Sequence, residues 1–565
     1  VSRVPAKDRA PTPFELSSRY VDELATLSPT LATSLGIPGY DHLWGRSFGL
    51  DGHEERMQLV RRTRAELSAH AEHDDPDQRI AARVLIGSLD EEIASDEAGE
   101  HLRDLSHMAS SFQNIRWTFD VMKDDDDGHW SDICQRLETI HEPYDQLRER
   151  LRVGRERGHH VARRQVASVA QQARRLASDG SAFDQLAARG AGRAAASGRL
   201  SKAIDHAKAV LARFADHLEA DVLPTAPTSD GIGIELYCPA LDRLVGKRID
   251  PREAYAWGWE EFHRLLGEMR RVGDRILPGG SFEAVKELLE TDPERAAHSR
   301  EAFVAFIDER LTRAREALAG EHFDVDPRLE ALSVDFAPDG SPLGAYYVAP
   351  SEDFSRPGGI RYSVGDQTVF PLYHQVSTAY HEGFPGHHLQ VGTAMVRAER
   401  ISRAHRLLIW YPGYGEGWAM YTERLMGELG FLERPEWEFG MLAKQLYRAA
   451  RVVVDIGLHL GLDVDTSSPL FAGEPWTFER AAEVMRVYGF RTPAQSEAEV
   501  MRYLGWPAQA VTYKLGEREI LALREETRSR LGARFSLKEL HDHLIGHGPL
   551  RFELLRDSLA EWLPD

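Results

Sequence analysis

The stretch PLYHQVSTAYHEGFPGHHLQ, residues 371–390, places His381 and Glu382 just before the Pro385–Gly386 pair, and His387 and His388 just after it. A hydrolytic zinc site needs neutral imidazole ligands, a carboxylate ligand, an open position for water, and a separate carboxylate that takes the water's proton. A His-Glu pair followed closely by a further His supplies most of that set from one stretch of chain.

The spacing differs from His-Glu-x-x-His, where the second His lies four residues on, about 6 Å along the helix axis and on nearly the same face. In a straight helix His387 points about 240° round from His381, while His388 returns to within about 20° but lies about 10.5 Å further along. Pro385 removes a ladder hydrogen bond and clashes with the carbonyl of His381, so the helix is expected to kink or bulge there. Absorbing two residues in that bulge brings His387 to the place of the usual second histidine, with His388 as the alternate ligand.

A second acidic segment, YPGYGEGWAMYTERL at 411–425, carries Glu416, 34 residues after Glu382, and Glu423 two helical turns further on the same face. Trp418, Met420 and Tyr421 between them imply a buried helix whose carboxylates need partners. Glu416 is the expected third metal ligand. Glu423 is the alternate, or an acceptor behind a ligand histidine. Further on, Arg448, Arg451, Asp455 and His459 recur at three-and-four spacing along one helix, a polar stripe suited to substrate or supporting duties. Arg451 can meet a substrate carboxylate bidentately or form an internal ion pair with Asp455; Lys514 and Arg502 are weaker candidates for that carboxylate. Tyr347, in the β-prone run GAYYVAP, belongs to a strand that either pairs with an extended peptide or braces the zinc helix.

The elements that position these residues follow from periodicity. From about residue 15 to 320, apolar residues at three-and-four spacing predict helices packed on helices. The runs LEALSVDF, GAYYVAP and GGIRYSV between about 328 and 370 predict a small sheet next to the zinc-binding helix, after which the helical pattern resumes. The expected fold is mainly α: a large two-lobed helical body with a deep cleft. An N-terminal lobe spans 1–230, and a catalytic lobe spans 231–565, with the boundary at the Pro-, Ser- and Gly-rich TAPTSDGIG. The Asp124–Asp127 run fails the register of a calcium loop and is expected to be a solvated turn that caps a helix.

Composition narrows the chemistry further. With 565 residues, 69 Lys plus Arg and 90 Asp plus Glu, the net charge is −21, which argues against a nucleic-acid footprint. Cys134 and Cys238 are the only cysteines, against 24 histidines, so a tight metal site must use His and carboxylate ligands. No apolar run reaches the length of a membrane span, and the start as given lacks a signal-peptide pattern, so no membrane association and a cytoplasmic location are expected.

At HEGFPGHHLQ and EGWAMY the sequence resembles the bacterial domain of unknown function 885 family, and the resemblance continues through LYRAARVVVDIGLH and WPAQAVTYKLGEREI to HDHLIGHGPL. That family in turn looks similar to α-helical zinc peptidases of the gluzincin type, in which a Gly-His pair closes the metal motif; this aligns Gly386–His387 with it. The resemblance implies Zn²⁺ on His381, His387 and Glu416, and Glu382 as general base. It also implies Tyr513, from a late helix, as donor to the oxyanion, although a core tyrosine would occupy the same position. The expected activity is zinc-dependent hydrolysis of short peptides. The alternatives are a zinc hydrolase of a non-peptide amide or ester, and a non-catalytic helical binding protein with a vestigial metal site. Natural substrate, exo- or endopeptidase character and oligomeric state stay open.

Overall fold

The computed structural model describes residues 10–193, 198–337 and 344–563. The fold is mainly α with a small sheet. Contacts divide the chain into two compact units. One comprises the residues up to Asp230 with Ser402–Ile409 and Leu504–Trp506; the other comprises Gly231–Ile401, Trp410–Tyr503 and Pro507 onward.

The first unit is built of amphipathic helices around a core that includes Trp44, Phe112, Phe119, Trp130, Tyr144 and Phe214. Arg136, fully buried, donates to the Tyr40 and Leu43 carbonyls and the Thr33 hydroxyl, so its charge is dispersed over backbone dipoles. The four-Asp run is a turn whose Asp126 accepts from the His129 amide and caps the helix Asp127–Glu138.

The second unit carries the polar motifs. Its framework is a long helix α1 (Pro251–Ile276), capped by Asp250, which runs along α5 (Pro435–Leu460). Between them in sequence come α2 (Gln375–Glu382), α3 (His387–Val396) and α4 (Pro412–Glu428); α6 (Pro493–Gly505) and α7 (Thr512–Leu531) follow. Proline at the first turn starts α1, α4 and α5, where a missing amide hydrogen costs nothing. Gly461, at φ +62°, ends α5.

The sheet has three strands, β1 (Leu332–Phe336), β2 (Gly344–Val348) and β3 (Gly358–Ser363), in the order β1-β3-β2. β1 runs parallel to β3, and β2 runs antiparallel to it with Tyr347 opposite Ile360. β2 is thus an edge strand among the described residues, and it packs near α2.

The expected bulge is instead a full break. α2 stops at Glu382 and α3 starts at His387, with Gly383-Phe384-Pro385-Gly386 forming a turn between them. Pro385 cannot continue the ladder, and Gly383 and Gly386 take ψ near −130° (−132° and −129°), far from the helical value, which interrupts the helix. A Cβ on Gly386 would lie 2.0 Å from the His381 carbonyl oxygen, so only glycine permits this approach. The consequence is the one a bulge was expected to deliver: His387 returns beside His381.

Candidate metal centre

His381 and His387 face each other with ring centroids 4.9 Å apart and planes at 85°. Glu416, from α4, meets both: its Oε2 lies 3.3 Å from His381 Nε2 and 3.4 Å from His387 Nε2. Tetrahedral zinc with ligand bonds of about 2.0–2.1 Å sets its ligand atoms about 3.3–3.4 Å apart. The two measured separations match that edge. The Glu416 Oε2 atom is buried and has no hydrogen-bond partner, which is costly for a carboxylate unless a cation completes the group. His381, His387 and Glu416 therefore fit a zinc ion.

Glu423 is the acceptor behind His381, a candidate ligand. Its Oε1 lies 2.7 Å from His381 Nδ1, while its other oxygen accepts from the Ser377 hydroxyl. This fixes the tautomer with Nε2 directed at Glu416. The pair is fully enclosed, Glu423 being 0% exposed. Burial alone would raise the Glu423 carboxyl; Arg448 and His381 outweigh it and hold the group down at about 2. For His381, burial disfavours the cation, but the adjacent carboxylates of Glu416 and Glu423 raise it to about 9. Burial likewise opposes ionisation of Glu416, and the two histidines hold it well below the usual range.

Two close approaches hold α4 in place. Trp418 Nε1 donates to the Pro385 carbonyl, tying α4 to the turn between α2 and α3. A Cβ on Gly417 would lie 2.5 Å from the backbone of Gly516 in α7, so these glycines let the helices carrying Glu416 and Tyr513 touch.

Glu382 is buried at 8% exposure, and the charges of His381, His387, Glu416 and Lys444 all act on it. Desolvation raises its carboxyl, as suits a base that takes a proton near neutrality. Tyr513 lies within the field of Glu416 with its ring beneath Arg448 and Arg451, at 5.3 and 5.0 Å. Burial, followed by Glu416, raises its phenol, which stays an O–H donor at neutral pH.

His388, the alternate ligand, points elsewhere. Its Nε2 donates to the Leu329 carbonyl at 2.8 Å, and its Nδ1 accepts from the Tyr347 hydroxyl at 3.1 Å. Both ring nitrogens are thus used, and Tyr347 meets the donor set only through this neighbour of His387. Arg451, expected to meet either a substrate carboxylate or Asp455, instead pairs with Glu499 at 2.9 Å and donates to the Tyr503 and Tyr447 hydroxyls. Asp455 accepts from Tyr237 and from the Ala508 amide. His459 is core: 2% exposed, with its Nε2 facing the Tyr503 carbonyl and its ring tilted on Tyr237. Its described contacts include none with the donor set. Lys514 is held by Glu517, Glu261 and Gln445, and Arg502 by Gln509.

Sequence reasoning missed Lys444. Burial, followed by Arg448, pushes its amine down to about 7 while Glu423 and Glu382 pull the other way. Extending the polar stripe of α5 back by one turn from Arg448 reaches it.

A family model described as bacterial protein of unknown function (DUF885) matches residues 29–559. No curated protein matches the chain. Among solved structures, a candidate lipoprotein from Colwellia psychrerythraea superposes with a TM-score of 0.82 at 22% identity, over 98% of this chain and 99% of that one. A candidate lipoprotein of unknown function from Shewanella oneidensis gives 0.74 at 20% identity, over 98% and 100%. At these identities the likeness is one of fold. Among the described residues no helix is long and apolar enough to cross a membrane.

Proposed function

Because the chain belongs to a family of bacterial proteins of unknown function (DUF885), its activity has to be read from the site, and we propose a zinc-dependent hydrolase that cleaves amide bonds of short peptides. The observation that carries this reading is the convergence of His381 Nε2, His387 Nε2 and Glu416 Oε2 at ligand-to-ligand spacing, with Glu382 next to them and outside the donor set. The same arrangement supports the likeness to gluzincin-type peptidases. A purely structural site needs no such base and closes its fourth position with a ligand.

Zinc at these residues supplies Lewis acidity to a substrate carbonyl and to water. Glu382, its carboxyl raised by burial, takes the proton from the attacking water and passes it to the leaving amine. Tyr513 donates its hydroxyl hydrogen to the oxygen that gains charge as the carbonyl becomes tetrahedral. Glu423 keeps His381 in the tautomer whose Nε2 is free. β2, an edge strand next to α2, offers its unpaired backbone groups to an extended peptide.

Replacing Glu382 by Gln keeps the donor set and removes the base. The expected result, on a panel of short peptides and acylated small molecules, is full zinc content with turnover of peptides lost. Undiminished turnover would overturn the assignment of Glu382, and turnover of the non-peptide amides alone would move the activity to that class. The two structural neighbours are named as lipoproteins, so fractionation of the native host should be read for an extracytoplasmic as well as a cytoplasmic pool.

A further inference from the structure

Helix α5 is buried throughout Phe439–Gly457 except at Lys444 and Arg448, one turn apart on one face. Glu416 alone keeps solvent contact between Pro412 and Glu423, and Tyr513 alone between Ala508 and Glu517. Four partly wetted polar side chains within otherwise enclosed segments mark a recess that water reaches. They are also neighbours: Arg448 lies over the Tyr513 ring, Tyr513 is in the field of Glu416, and Lys444 acts on Glu382.

Positive charge in this recess exceeds its partners. Arg451 and Arg502 share Glu499, at 2.9 and 3.8 Å. Arg448 faces only Glu423, at 3.9 Å, and Glu423 is already engaged by His381 and Ser377. Lys444 and Arg491 form no ion pair among the described residues. The Nε atoms of Arg448 and Arg491 are buried without a hydrogen-bond acceptor. Tyr447 fixes this cluster, its ring carrying Arg451 at 4.2 Å and Arg491 at 4.4 Å. Nearby His374 has a buried, unpartnered Nδ1, and its charged form is suppressed by burial and then by Lys444 and Arg491. Glu423 and Glu382 act on Lys444, and Glu499 acts on Arg491, but none is in ion-pair contact with them, and buried cations without a contacting counter-ion are costly unless an anion arrives.

We propose that Lys444, Arg448 and Arg491 seat a substrate carboxylate beside the His381–His387–Glu416 donor set, so that the preferred substrates are short peptides bearing a carboxylate close to the scissile bond. An ammonium and two guanidinium forks suit that planar anion, which is either the C-terminal carboxylate or an acidic side chain. A role confined to supporting Glu423 would involve Arg448 and Lys444 but not Arg491. The inference rests on the hydrolase reading for its substrate class, but its binding step does not need turnover.

The test uses three N-acetylated dipeptides: one with neutral side chains and a free C terminus, its C-terminal amide, and an amide carrying a Glu side chain. Binding to the full chain stripped of metal is followed by calorimetry, and hydrolysis is followed on the zinc-loaded protein. The free acid should bind at least about tenfold more tightly than the neutral amide, and Lys444→Met and Arg491→Gln should each remove most of that difference. If only the Glu-bearing amide shows the preference, the carboxylate is a side chain and the seat stands. Equal binding of all three to the wild-type chain overturns the proposal without any variant, as does an undiminished acid preference in both variants. Preferential acid binding without hydrolysis of any peptide would sink the hydrolase reading and leave the seat, whereas equal binding and equal turnover of all three would do the reverse.

Discussion

Replacing Glu423 by Gln keeps the shape of the group behind His381 and removes its charge. In the wild-type chain His381, held at about 9 by Glu416 and Glu423 against the burial that disfavours its charge, carries a proton at pH 7 that zinc must displace. Two pH units of competition weaken zinc by about 100-fold, or about 2.7 kcal/mol, so wild-type affinity should rise about tenfold per pH unit and level off near pH 9. In the variant two effects oppose each other. The imidazole becomes a poorer donor, which costs about 10–100-fold in affinity at high pH. Its proton also leaves more readily, so the plateau begins at a lower pH. Competition with a chromophoric chelator from about pH 6 to pH 10 measures both. The reasoning fails if the plateau does not move, or if affinity at high pH is unchanged.

Other substitutions separate neighbouring roles. His388→Gln should retain one zinc per chain and lose about 1–3 kcal/mol of stability, because the Leu329 carbonyl and the Tyr347 hydroxyl lose their partner; loss of zinc with the fold intact would make His388 a ligand. Tyr513→Phe should lower kcat by about 10²–10³ with zinc content unchanged, and unchanged turnover would return the phenol to the core. Acid should destabilise the chain through His374, His459 and His541, which burial holds down at about 3, 4 and 3. The unfolded chain binds more protons than the folded one between about pH 4 and 6.5, so stability falls as pH drops through that window, by about 4 kcal/mol per pH unit for the three together. Denaturant unfolding at several pH values measures the slope; His459→Gln should reduce it by about 1.4 kcal/mol per pH unit, and an unchanged slope would refute that share.

The convergence of His381, His387 and Glu416 was legible because the candidate residues are rare types gathered within a few turns. His381, Glu382 and His387 lie within seven residues, and Glu416 stands on a helix too apolar to carry an idle carboxylate. What local rules could not supply was the break at 383–386. Proline forecast a disturbed helix, but whether the helix bulges or breaks depends on how closely Gly386 packs on the His381 carbonyl. The partner of Arg451 was likewise out of reach, since Glu499 lies 48 residues on and is brought back by α6. Lys444 drew no reading because periodicity reports which face is apolar, not which polar residue on a buried helix still meets water. The helical character and the small sheet before the zinc segment followed from periodicity and from the β-prone runs separated by Pro and Gly.

The most direct test of the central claim is a zinc titration of the metal-stripped chain, with cleavage of a short peptide as the readout. The account predicts no cleavage without metal, a linear rise that breaks at one zinc per chain, and no rise in His387→Ala. Cleavage that survives stripping, or that rises equally in His387→Ala, would contradict it.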